Sequence, residues 1–302
     1  MPATGYPPPD HILRDLGIRI EVPSATTAAA RLPVTPYVTG ADGGVRAGVL
    51  AVLVDLAGGA AAVRSLYPDW MATADLTVQL AVPAVGPWVE ARAAVLRRGR
   101  TTLVVEAGIF DVEDRGPHDE AGAGPPGEKK GTQVGVGTLT MAVLPARAGG
   151  SELPADPSFP SRSAFGTAGL GRSLADVLGI RVVAPERGRL AMPVVPYVHN
   201  SFGAAQGGVM ALLGELSGIA AIESARTGTD ARASVTDLEV AYLALARIGP
   251  VVSEARVLWG GAGDRAGRAT VELFDAGGEQ RLTTRVQVAV ADAAATTHAG
   301  AT

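Results

Sequence analysis

Two stretches of the chain, 47–66 and 208–225, are apolar on nearly every side, each broken near its middle by one acid, Asp55 and Glu215. A surface helix shows a single apolar stripe, whereas a helix apolar all round is covered on all sides. Both stretches are therefore expected as buried helices, the first roughly 30 Å long at 1.5 Å per residue. A membrane span has similar composition, but the central acids, together with Arg64 and Glu223 near the ends, keep the uninterrupted runs short, and no membrane contact is expected. Downstream of each helix, apolar and polar positions alternate with a period of two. These segments are 76–82, 89–96, 101–110 and 134–144 after the first helix, and 238–245, 251–259, 268–274 and 281–290 after the second. Alternation joined by Gly-rich turns predicts antiparallel strands. One long helix against one curved sheet covers the apolar surface of both, so the expected class is α+β.

The two sets are copies of one pattern. Leu16-Gly-Ile-Arg-Ile20 returns as Leu178-Gly-Ile-Arg-Val182, and Leu32-Pro-Val-Thr-Pro-Tyr-Val38 as Met192-Pro-Val-Val-Pro-Tyr-Val198. Gly48 to Asp55 matches Gly208 to Glu215, Ala74-Asp-Leu-Thr-Val78 matches Thr236-Asp-Leu-Glu-Val240, and every offset lies between 160 and 163. A period that long is a duplicated domain and not a solenoid repeat. The expected organisation is an N-terminal unit over 1–147, a linker over 148–163 and a C-terminal unit over 164–302. The polar, Gly/Pro-rich run 113–131 reads as a loop, and the G-x-G-x-x-G it contains lacks the βα context of a nucleotide site.

Composition removes several chemistries. The 302 residues are 47% hydrophobic, enough for two cores, and a net charge of −4 with scattered arginines gives no nucleic-acid footprint. Absence of cysteine excludes thiolate nucleophiles and cysteine-held metals. The four histidines show no metal-ligand spacing, and neither a G-x-S-x-G elbow nor H-E-x-x-H occurs. The N-terminus has neither a basic start nor an apolar core of a signal peptide, so a cytoplasmic protein is expected.

What remains is an acid inside an apolar helix, twice. A lone carboxylate in a dry core costs several kcal/mol unless paired or neutralised, so each marks a cavity or an interface. Glycines entering a helix leave backbone N–H groups free and let a ligand come close, which suits a developing oxyanion; the same glycines also serve close packing. In the second copy the loop reads His199-Asn-Ser-Phe-Gly-Ala-Ala-Gln-Gly-Gly208, with Glu215 nine residues after Gln206.

This pattern, N-x-x-G-x-x-(H/Q)-G-G followed by an acid in the central helix, resembles the hotdog-fold acyl-CoA thioesterases of the phenylacetate-pathway (PaaI-like) type, here in tandem double-hotdog form. The resemblance implies a sheet wrapped around each helix and two domains joined edge to edge. It also implies sites between the domains, where the Gly-loop of one faces the acid of the other. The fused halves would then form an internal pseudo-dimer, further assembly being left open. The substrate would be an acyl-CoA or related thioester, with no cofactor beyond the coenzyme A of the substrate. The first copy departs from the motif: Gly40 stands at the position of Asn200, and Arg46-Ala47 at that of Gln206-Gly207. One competent site is therefore expected, combining Asp55 and the Thr73 hydroxyl with Asn200, Gln206, Gly207 and Gly208. The degraded counterpart would combine Glu215 and Ser234 with Arg46 and Gly48. Gly207 N–H would polarise the thioester carbonyl, Asn200 or Gln206 would position it or the water, and Asp55 would act as general base or nucleophile. Thr73 also reads as an ordinary strand residue, and Arg46 more readily as a solvated loop arginine than as a phosphate contact. Two other functions share the fold: a non-catalytic acyl or CoA-ester binding protein, favoured by Gln206 and Arg46 at the commoner histidine position, and a dehydratase, which needs a histidine paired with the acid.

Overall fold

The computed structural model describes residues 6–67, 69–113, 131–145, 159–166, 169–226, 232–278 and 280–293. The run 114–130 with its glycine pattern, and most of the expected linker, lie outside these residues. Both apolar stretches are helices, α2 (Ala47–Leu66) and α4 (Gly207–Ala225); two short helices, α1 (Ile12–Asp15) and α3 (Leu174–Val177), precede them in the chain.

Among the described residues, thirteen strands form one continuous antiparallel sheet. In the first half they are β1 (Arg19–Ser24), β2 (Thr27–Pro33), β3 (Trp70–Leu80), β4 (Trp88–Arg98), β5 (Thr102–Val112), β6 (Thr132–Leu144) and β7 (Ser161–Ala164). The second half supplies β8 (Arg181–Ala184), β9 (Arg189–Met192), β10 (Ala233–Tyr242), β11 (Val251–Trp259), β12 (Ala266–Asp275) and β13 (Arg281–Asp292). The order across the sheet is β7-β1-β2-β4-β5-β6-β3-β10-β13-β12-β11-β9-β8. The expected strands are all present, but β3 and β10 begin earlier than their alternation suggests, because each carries a bulge, at Thr73/Asp75 and Val235/Asp237, that breaks the period of two. Ser161–Ala164, which straddles the end of the expected linker, adds a strand to β1 at the outer edge of the first half.

The halves meet at β3 and β10, which pair antiparallel from Asp75↔Ala241 to Gln79↔Asp237. Both helices lie against the sheet and against each other, and their leucines (Leu50, Leu53, Leu212, Leu213) belong to one core spanning the two halves. By length and composition either helix could cross a membrane; here the sheet and the partner helix cover most of its apolar surface. The crossing is built on glycine. A β-carbon on Gly48 would lie 2.4 Å from Leu212 Cα, and one on Gly208 would lie 2.5 Å from Val52 Cα. The two contacts exchange under the repeat, so the helices cross about a local pseudo-twofold axis, and the start of each reaches the middle of the other.

Candidate active site

That crossing carries each loop to the opposite acid. Asp55 sits in the third turn of α2, where Thr73 of β3 donates its hydroxyl to Oδ1 at 2.8 Å. From the other half, Gln206 donates Nε2–H to Asp55 Oδ2 at 3.3 Å. Gln206 is also the N-cap of α4, its Oε1 accepting the Val209 N–H at 3.0 Å, so one buried amide fixes the helix start and holds the acid. A β-carbon on Gly207 would lie 3.3 Å from Asp55 Oδ2 and 3.2 Å from the Tyr242 hydroxyl oxygen. Only a glycine leaves that space open. Among the described residues, none accepts a hydrogen bond from the Gly207 or Gly208 N–H, so the positive end of α4 faces the carboxylate with donors free. Burial pushes the Asp55 carboxyl above the usual carboxylate range, and the Thr73 hydrogen bond acts in the opposite sense.

Asn200 shapes the loop that presents Gln206: its Oδ1 accepts the N–H groups of Phe202 at 2.9 Å and Ala204 at 3.1 Å. The N-terminal segment braces the same loop: His11 Nε2 and the Tyr6 hydroxyl both bond the His199 carbonyl, at 2.8 and 3.2 Å. Trp70 of β3 meets Phe202 edge-on at 6.0 Å between ring centres.

The Glu215 side is closed upon itself. Glutamate is one methylene longer than aspartate, and its Oε2 accepts the Gly48 N–H at 2.6 Å, taking up a helix-start donor equivalent to that of Gly208. Arg46 Nη1 lies 3.7 Å from Glu215 Oε1. The arginine is thus a partner of the buried acid, and the reading as a solvated loop residue is corrected. Burial raises the Glu215 carboxyl, opposed by Arg46 and by the Gly48 N–H. Ser234 donates to Asp42, not to Glu215. Gly40, Asp42, Arg46, Leu80, Glu215 and Ser234 line a cavity of about 20 Å³, room for one water.

Sequence reasoning missed Tyr242. The signal was available in the repeat, because Tyr242 aligns with Leu80 at the offset that pairs Asp237 with Asp75.

Residues 43–118 match the model of the thioesterase superfamily. A protein of Halobacterium salinarum assigned as an esterase is 36% identical over 143 residues, covering 45% of this chain and 86% of that protein. Two solved structures share the fold along most of the chain. An acyl-ACP thioesterase of Bacteroides thetaiotaomicron superposes with a TM-score of 0.52 at 14% identity, covering 87% of this chain and 97% of that one. A protein of Lactobacillus plantarum assigned as an oleoyl thioesterase gives 0.55 at 9% identity, covering 90% and 97%.

Proposed function

The chain belongs to the thioesterase superfamily, whose chemistry is thioester hydrolysis, and on that premise we propose that it hydrolyses acyl-CoA esters at one site, the one centred on Asp55. The observation that carries this reading is the carboxylate held between Thr73 of one half and Gln206 of the other, facing the free N–H groups at the start of α4.

Both Asp55 oxygens are held by hydrogen bonds and burial raises its pKa, so the carboxylate is fixed in place and basic enough to take a proton from water. In the proposed reaction a water oxygen adds to the thioester carbon and its proton passes to Asp55. The carbonyl electron pair moves onto oxygen, where the Gly207 N–H meets it. Collapse re-forms the carbonyl and breaks the carbon–sulfur bond; sulfur leaves with the bonding pair and takes the proton from Asp55, giving a carboxylic acid and a thiol. Glu215 does not take the same part, because its Oε2 occupies the Gly48 N–H, the helix-start donor an oxyanion would need, and Arg46 faces its Oε1.

Thiol release from short, long and aryl acyl-CoAs, with acyl-carrier-protein esters alongside, tests this. Asp55→Asn is expected to lower kcat by about 10²–10⁴-fold, while Glu215→Gln keeps turnover. Equal loss with both variants refutes the single site, and acyl-CoA binding without release by the wild type refutes catalysis. Turnover of carrier-protein esters alone would refute the CoA assignment.

A further inference from the structure

The Tyr242 hydroxyl is buried and, among the described residues, has no hydrogen-bond partner. An unpaired buried hydroxyl costs roughly 1–3 kcal/mol, and at a strand position where the other copy has leucine that cost buys no packing that Leu80 does not also achieve. Its surroundings identify what it faces. The phenol oxygen and Asp55 Oδ2 lie 3.2 and 3.3 Å from one point, the place a β-carbon on Gly207 would fill. That point lies at the start of α4, where the Gly207 and Gly208 N–H groups are also unengaged. The phenol and the carboxylate thus share one small space at a helix start whose N–H donors are unengaged. The phenol does not donate to Asp55, so its proton is free for something that enters.

Resting on the thioesterase reading of the Asp55 site, we propose that Tyr242 is a catalytic residue of that site, donating its O–H to the thioester carbonyl oxygen as the tetrahedral intermediate forms. Its hydroxyl joins the Gly207 N–H as a second oxyanion donor. Burial, and after it the nearby Asp55 charge, raise the phenol well above its ordinary pKa, so it keeps its proton at neutral pH. Among the described residues, no phenol lines the cavity at the other acid. Leu80, the counterpart of Tyr242, lines the Glu215 cavity with carbon only, so the copy that lost its loop motif also lacks this donor.

Tyr242→Phe is the test, read as steady-state thiol release from acyl-CoA together with thermal unfolding. Loss of one oxyanion donor lowers kcat by about 10²–10³-fold. A donor that strengthens only in the transition state leaves KM nearly unchanged, so kcat and kcat/KM fall together. Removing an unpaired buried hydroxyl leaves the melting temperature equal or higher, which separates this role from a structural one. Gly207→Ala, whose methyl occupies the shared space, lowers kcat as well. A Tyr242→Phe enzyme with wild-type kcat, or one whose loss follows a lower melting temperature, overturns the role while leaving the thioesterase reading intact. A wild-type chain that releases no thiol from any ester overturns both.

Discussion

Gly48→Ala and Gly208→Ala probe the crossing on which every interfacial contact depends. A methyl at either position would sit 2.4 or 2.5 Å from a main-chain carbon of the opposite helix, where unstrained carbons stay about 3.5–4.0 Å apart. Main chain cannot swing aside as a side chain can, so the helices must separate by roughly 1 Å. Overpacking of this kind costs about 3 kcal/mol at the upper end of the usual range. Replacing glycine by alanine in a helix returns at most about 1 kcal/mol, leaving a net loss near 2 kcal/mol, roughly a 30-fold shift in the folding equilibrium. Gly59, in the same α2 helix, is the control: its nearest neighbour would be Met71 Cε at 3.7 Å, an ordinary contact. Gly59→Ala is expected to stabilise by up to about 1 kcal/mol. Urea unfolding of the three variants by linear extrapolation measures the differences. Gly208→Ala also pulls Gln206 away from Asp55, so its thiol release falls while that of Gly59→Ala does not. If all three variants gain stability alike, the helices do not cross as described.

Because Asp55 must be ionised to act as base, kcat/KM against pH is expected to show an acidic limb above the ordinary aspartate value of 3.8. Thr73→Ala removes a hydrogen bond that favours the carboxylate, so the limb moves to higher pH; a limb that stays or moves down contradicts the assignment. The same raised pKa means that the native state binds more protons than the unfolded chain above pH 3.8, so stability contributed by this group is lost as pH rises through the folded value. Asp55→Asn is therefore slower in turnover yet more stable than the wild type at neutral pH, and a lower melting temperature would count against the burial argument. His11 runs the other way. Burial, its leading influence, lowers its pKa from 6.5, so the unfolded chain binds the extra proton and stability falls as pH drops below about 6.5, with a slope of up to about 1.4 kcal/mol per pH unit. His11→Asn flattens that segment of the stability profile, and an unchanged profile means that His11 is not held neutral.

Much of this was legible because it was local. An apolar run without a polar face could only be a covered helix, and α2 and α4 lie within a residue of their expected bounds. The repeat made the acids comparable, and their mismatched loops pointed to unequal sites. The illegible parts are contacts between distant residues. Arg46 and Glu215 are 169 positions apart, and Tyr6 and His11 reach the His199 carbonyl from 193 and 188 positions away. No window of sequence shows such pairs. Tyr242 was hidden for another reason: in a period-two strand an aromatic residue reads as packing, and only comparison with Leu80 reveals that the two copies differ there. Asn200 shows the limit of a motif, which marks a position as important without saying whether the side chain meets substrate or shapes its own loop.

The seam between β3 and β10 has a consequence for how the molecule can change. Two identical subunits joined along such a seam would come from one coding sequence, and any substitution would strike both clefts at once. Here each position around the axis is encoded separately. A long acid clasped by an arginine can therefore serve as an internal fastener on one side, while a short acid stays available on the other. Residues around Glu215 can then follow the demands of folding, and those around Asp55 the demands of chemistry, without compromise between the two.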